Sequence, residues 1–155
     1  FVAGNGRNSG VGHLARSAED IGTNIRTMTL ESLVRDFCGS SDADLVKVDI
    51  EGAEMSLLAG AASLFAAKRI GVMQLEYNST WIGFGRRMHD LIDFAVKHEY
   101  AVLMATPLGF TRLPRYGIGL EDFRLRNLIL ARADYLDALK PLGPAGRARV
   151  ERDRL

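Results

Sequence analysis

DLVKVDIEGAE, residues Asp44–Glu54, decides the fold of this chain. Val46, Val48 and Ile50 are β-branched, so Leu45–Ile50 reads as a strand. Asp49 and Glu51 fall at its carboxyl end. Gly52 permits a sharp turn, and Glu54 lands in the first turn of a following helix. Acidic residues are favoured at a helix start by the macrodipole, so part of this pattern is ordinary helix chemistry. Two or three carboxylates at a strand end can also hold a cationic cofactor, a metal or a hydroxyl proton. Lys47, mid-strand among apolar neighbours, reads as paired with a carboxylate or placed at the edge of the core.

Outward from this segment, strands and helices alternate. A helix is expected from about Ala53 to Lys68, with Leu57, Leu58, Ala61, Leu64 and Phe65 as its buried stripe. Ile70–Tyr77 (IGVMQLEY) follows as a nearly continuous apolar strand, as in a sheet covered on both faces. Met88, Leu91, Ile92, Ala95 and Val96 mark an amphipathic helix ending near His98. Tyr100–Ala105 and Asn127–Ala131 read as strands, with the Pro- and Gly-containing Thr106–Arg124 as a long loop between them. Upstream, Phe1–Ala3 reads as a strand end, Gly4–Gly12 as a loop and Arg26–Thr29 as a short strand. Thr29 then caps a helix bearing Leu30, Leu33, Val34 and Phe37, which Gly39-Ser40-Ser41 ends. Asp134–Leu139 suggests a helical turn. This order predicts an α/β fold, mainly parallel, with ligands bound at the carboxyl ends of its strands. Glu76, Tyr77 and Asn78 end the strand next to Leu45–Ile50. At ~4.8 Å between strands, Glu76 or Asn78 can approach Asp49 across one cleft.

The chain has 155 residues, 47% of them apolar, which suits one domain with a real core. We assign residues 1–140 to that domain and 141–155 to a solvated tail. Basic and acidic residues balance at 20 against 19. The tail's Arg147, Arg149, Arg152 and Arg154 supply part of the basic count, so the rest does not support nucleic-acid binding. No apolar run approaches the ~20 residues of a spanning helix, which argues against a membrane partner. The lone Cys38 makes no intrachain disulfide, and a cytoplasmic location is expected. The first residue is not Met, so the chain reads as a piece of a longer protein.

Together these residues resemble the FkbM family of S-adenosylmethionine-dependent methyltransferases. The resemblance lies in Thr29-Leu30-Glu31-Ser32-Leu33, in Lys47-Val48-Asp49-Ile50-Glu51-Gly52-Ala53-Glu54, and in Glu76-Tyr77-Asn78. Glu31 departs from the commoner Asp. The resemblance covers roughly Phe1 to Arg132. It implies a Rossmann-like sheet, with Leu45–Ile50 and Ile70–Tyr77 as its fourth and fifth strands and an antiparallel last strand. It also implies that the main cofactor loop and the acidic end of the second strand lie before Phe1, an N-terminally truncated fold. The Gly-rich Gly4–Gly12 matches a later Ser/Gly loop near the cofactor pocket.

On this basis the chain is expected to transfer a methyl group from S-adenosylmethionine to a small-molecule or sugar hydroxyl. Asp49 is the candidate base or acceptor-positioning group, with Glu51 and Glu76 lining the same cleft. Ser9 and Asp49 are the cofactor contacts, and Glu54, Asn78, Arg112 and Tyr116 the substrate contacts. No metal is assigned, although Asp49, Glu76 and Asn78 carry oxygen donors of the kind that hold Mg²⁺. The alternative is a non-catalytic, methyltransferase-derived remnant or interaction module. A nicotinamide dehydrogenase is disfavoured, because no G-x-G-x-x-G follows a strand.

Overall fold

The computed structural model describes residues 2–3, 12–13, 26–37, 42–107 and 109–139. Gly4–Val11, Gly39–Ser41 and the 141–155 tail lie outside the described residues, so the expectations placed on them, Ser9 included, have no structural counterpart.

Val2–Ala3 (β1) pairs antiparallel with Gly12–His13 (β2). Leu30–Phe37 (α1) follows Thr29, whose Oγ1 accepts the Ser32 N–H at 3.1 Å, the cap expected of it. Arg26–Thr29 forms no strand. The main sheet holds Ala43–Val48 (β3), Ile70–Tyr77 (β4), Ala101–Thr106 (β5), Gly109–Arg112 (β6) and Arg126–Ala131 (β7), in the spatial order β3-β4-β7-β5-β6.

This order overturns the expectation of a mainly parallel sheet. Only β3 and β4 pair in parallel, and the other three pairings are antiparallel. The helical connections do bring β3, β4 and β5 into the same direction. However, β5 does not lie beside β4, because β7 runs between them, antiparallel to both. The stretch expected to be a loop also folds back as β6, a hairpin on β5 with Thr106 paired to Gly109. Gly109, at φ 121°, supplies the left-handed conformation that this turn requires.

The helix expected over 53–68 forms in two pieces, Glu54–Gly60 (α2) and Ala62–Ala66 (α3), that meet at Ala61. The apolar stripe nonetheless stays on one side. Leu58, Ala61, Leu64 and Phe65 are buried, and Leu57 is partly buried. These side chains pack on Met73, Leu75 and Tyr77 of β4, on Leu128 and Leu130 of β7, and on Met88, Leu91 and Ala95 of Met88–Lys97 (α5). Each large side chain buried there contributes roughly 1.5–3 kcal/mol of transfer free energy. The alternate residues Val72, Leu103, Ile129 and Ala131 face the other side of the sheet. There Phe110, Tyr135 and Leu136–Leu139 (α6) cover part of it. Among the described residues no helix is long and apolar enough to cross a membrane.

Candidate functional site

The strand β3 ends at Val48, and the chain turns through Asp49–Ala53 before α2. Glu51 and Gly52 both adopt positive φ, 54° and 104°, which reverses the backbone within two residues. Glycine is required at the second position on two counts. Its φ strains any residue with a Cβ. A Cβ there would also lie 2.7 Å from Phe84 Cδ2 and 2.8 Å from the Thr80 carbonyl oxygen. The short helix Thr80–Gly83 (α4), which the sequence reading missed, therefore packs directly onto the turn.

The turn carries Asp49 and Glu51, and the parallel neighbour β4 carries Glu76 one residue before its end. Carboxylate oxygens of these three side chains lie within 4.8 Å of one another. The convergence expected from the strand ends is thus present, with Glu51 as a third member. Lys47 Nζ lies 3.6 Å from Asp49 Oδ2, and both groups are well exposed, so this pair contributes little to stability. Three carboxylates so close make a strongly negative locus. Oxygen donors in this arrangement are of the class that binds hard divalent cations, and the same field favours any cationic or proton-donating group.

Asn78 acts from behind. Its Nδ2 donates to Glu76 Oε1 at 2.8 Å, while its Oδ1 accepts the Thr80 N–H at 2.7 Å and the Thr80 hydroxyl at 2.5 Å. One amide thereby fixes the rotamer of Glu76 and the start of α4. Trp81, fully buried, donates its indole N–H to the Glu76 carbonyl at 3.0 Å, which holds the backbone of the same residue.

Glu54 stands apart from the cleft. Its side chain is 1% exposed, and its Oε1 accepts the Ile50 N–H at 3.1 Å. Its Oε2 has no hydrogen-bond partner among the described residues. Burial raises its pKa, the backbone N–H groups around the turn oppose that shift, and the nearby charge of Glu51 adds to it. It faces the inside of the turn.

Arg112 lies on β6 and is exposed. It pairs with Leu103, which pairs with Ile129, which pairs with Gln74. Three inter-strand steps, about 14 Å, therefore separate it from β4. Tyr116 packs edge-on against His89 with ring centroids 4.7 Å apart. Burial first, and then Glu121, which its hydroxyl also shares, raise its pKa. Glu121 is a residue that the sequence reading passed over. It accepts the N–H groups of Met88 and His89, both at 3.2 Å, and the Tyr77 hydroxyl at 3.1 Å. It thus caps α5 from a distant loop and ties that loop to the end of β4. An exposed-looking glutamate between Leu120 and Asp122 gives no local signal of such a role.

A family model described as "Methyltransferase FkbM domain" matches residues 3–102. The chain belongs to the FkbM methyltransferase family. No curated protein and no solved structure matches the chain. The FkbM match takes in β3, the acidic turn, β4 and α5, and so contains Asp49, Glu51 and Glu76. It ends inside β5, earlier than the Arg132 limit of the resemblance read from the sequence. The FkbM model therefore leaves Arg112, Tyr116, Glu121 and all of β7 outside its span.

Proposed function

We propose that this chain is an S-adenosylmethionine-dependent O-methyltransferase domain acting on a hydroxyl of a small molecule or sugar. The observation that carries this reading is the convergence of Asp49, Glu51 and Glu76 at the carboxyl ends of two adjacent parallel strands in an FkbM domain. Ligands of open α/β sheets bind at that edge.

The cofactor, when bound, supplies an electrophilic methyl group on a positively charged sulfur. The acidic locus fits such a group by charge, and Asp49 would face it from the β3 end, with Ser9 as a second contact. The remaining chemistry falls to the chain's own residues. An acceptor hydroxyl must be aligned with the methyl group and must lose its proton as the new bond forms. In this reading Asp49 accepts that proton. It follows a strand end, is open to solvent, and among the described residues its ion-pair partner is the flexible Lys47. Glu51 and Glu76 accept hydrogen bonds from neighbouring hydroxyls of the acceptor. Asn78 holds Glu76 in place for this, so its own contact with substrate is through that carboxylate. Arg112, three strands from β4, is not among the residues we place at this locus.

The test is transfer of a labelled methyl group from S-adenosylmethionine to hydroxyl-bearing acceptors, measured together with the S-adenosylhomocysteine released in the same step. Stoichiometric label on acceptor oxygen supports the reading. Label on nitrogen or carbon only, or none on any hydroxyl acceptor, refutes it.

A further inference from the structure

We infer that Gln74 and Asn127 form the donor half of the acceptor site and restrict it to uncharged, hydroxyl-rich molecules of about monosaccharide size. This inference rests on the methyltransferase reading above and names its substrate class.

The strand register puts both amides on the face of the sheet that carries Glu76. Glu76 pairs directly with Asn127 across the β4–β7 ladder, and Gln74 is two residues before Glu76, so its side chain points the same way. Directly opposed residues in antiparallel strands hold their Cβ atoms about 5 Å apart, within reach of a shared ligand. Gln74 Nε2 donates to Asn127 Oδ1 at 2.8 Å. That bond sets the amide orientations and leaves the Asn127 amino group and the Gln74 carbonyl without a hydrogen-bond partner among the described residues. On the same face Val72, Leu103 and Ile129 are buried, at 6%, 7% and 7% exposure, and Lys47 and the exposed Arg112 share it by register. The tied amide pair lies between the buried apolar residues and the three carboxylates.

The chemistry of the two halves is complementary. Carboxylates only accept hydrogen bonds, whereas a primary amide both donates and accepts. A hydroxyl does both as well, so adjacent hydroxyls of one ligand can donate to Glu76 and accept from Asn127. From the Asp49 turn beyond β3 to Asn127 on β7 is two inter-strand steps, about 10 Å, the breadth of one sugar ring with its substituents. An acceptor bearing a phosphate or carboxylate would meet three carboxylates, of which Asp49 is paired with Lys47, and would be repelled.

The experiment observes the side-chain amide signals of Asn127 and Gln74 by nitrogen–proton correlation spectroscopy on the full chain. The probes are methyl hexosides and, separately, the corresponding hexose phosphates. Saturable shifts of both amide signals with at least one methyl hexoside, and none with the phosphates, are expected. The Asn127→Ala variant should bind that hexoside about tenfold more weakly, with its melting temperature showing that the fold is kept. Equal or tighter phosphate binding, or no shift with any hexoside, overturns the inference. Amide shifts without methyl transfer to any acceptor would uphold this binding surface and sink the methyltransferase reading instead.

Discussion

Replacing Gly52 by Ala tests the local architecture of the site with one methyl group. Two costs act together. A Cβ at φ 104° strains the backbone by roughly 1–2 kcal/mol. The methyl would also stand 2.7 Å from Phe84 Cδ2 and 2.8 Å from the Thr80 carbonyl oxygen. The ring can rotate away, but the carbonyl is backbone at the start of α4, pinned by Asn78 through the Thr80 N–H. Over-packing of this kind costs about 1–3 kcal/mol. The sum is about 3 kcal/mol, which for a chain of this size lowers the melting temperature by roughly 6–12 °C. Urea unfolding followed by circular dichroism measures it, with an unchanged denaturant slope showing that only stability has moved. A loss below about 1 kcal/mol would show that the turn is not closed against α4 in the way described.

Other consequences are accessible to simple measurements. Burial raises the Glu54 pKa, so its charged form destabilises the fold. The stability of the neutral form is fully present below the ordinary carboxylate pKa and falls as pH rises through the raised one. Glu54→Gln keeps an acceptor for the Ile50 N–H without the charge. It should therefore be more stable than the parent at pH 7 and lose that advantage in acid, as denaturant titrations at several pH values would show. Tyr77 is pushed up to about 12, first by burial and then by the charge of Glu121, and Tyr100, Tyr116 and Tyr135 are also raised. Phenolate absorbance should therefore appear above the ordinary tyrosine value. Stability should fall as pH rises from about 10 towards 12, and a tyrosine titrating at its ordinary value in the folded protein would contradict these environments. Chelation by excess EDTA should leave methyl transfer unchanged if Asp49 serves as the base, and loss of transfer restored by Mg²⁺ would make the carboxylate trio a metal site.

Much of the site was legible because its signals are local. β-Branched residues in alternation marked β3, Gly52 marked the turn, and Thr29 marked the start of α1. The pairing of Glu76 with the Asp49 turn followed from strand adjacency alone. What was not legible depends on contacts distant in sequence. The apolar run of β4 suits any strand covered on both faces, whatever the direction of its neighbours, so nothing in it reveals that β7 inserts between β4 and β5, although the family resemblance did imply that the last strand is antiparallel. β6 hides in a Pro-flanked stretch whose pairing is set by β5, not by its own composition. Glu54 looked like a site residue because it sits in an acidic motif, but helical geometry turns it inward to the Ile50 N–H. Glu121 and Asn127 gain their roles from partners more than 30 residues away. No periodicity carries that information.

The central claim is that Asp49 works at the reacting hydroxyl. Its most direct test is methyl transfer by the Asp49→Asn variant beside the parent, with S-adenosylmethionine saturating and acceptor varied. General-base roles of this kind contribute about 10²–10⁴-fold. The account predicts a fall in kcat of that order with cofactor affinity changed far less, whereas parent-like turnover in the variant would contradict it.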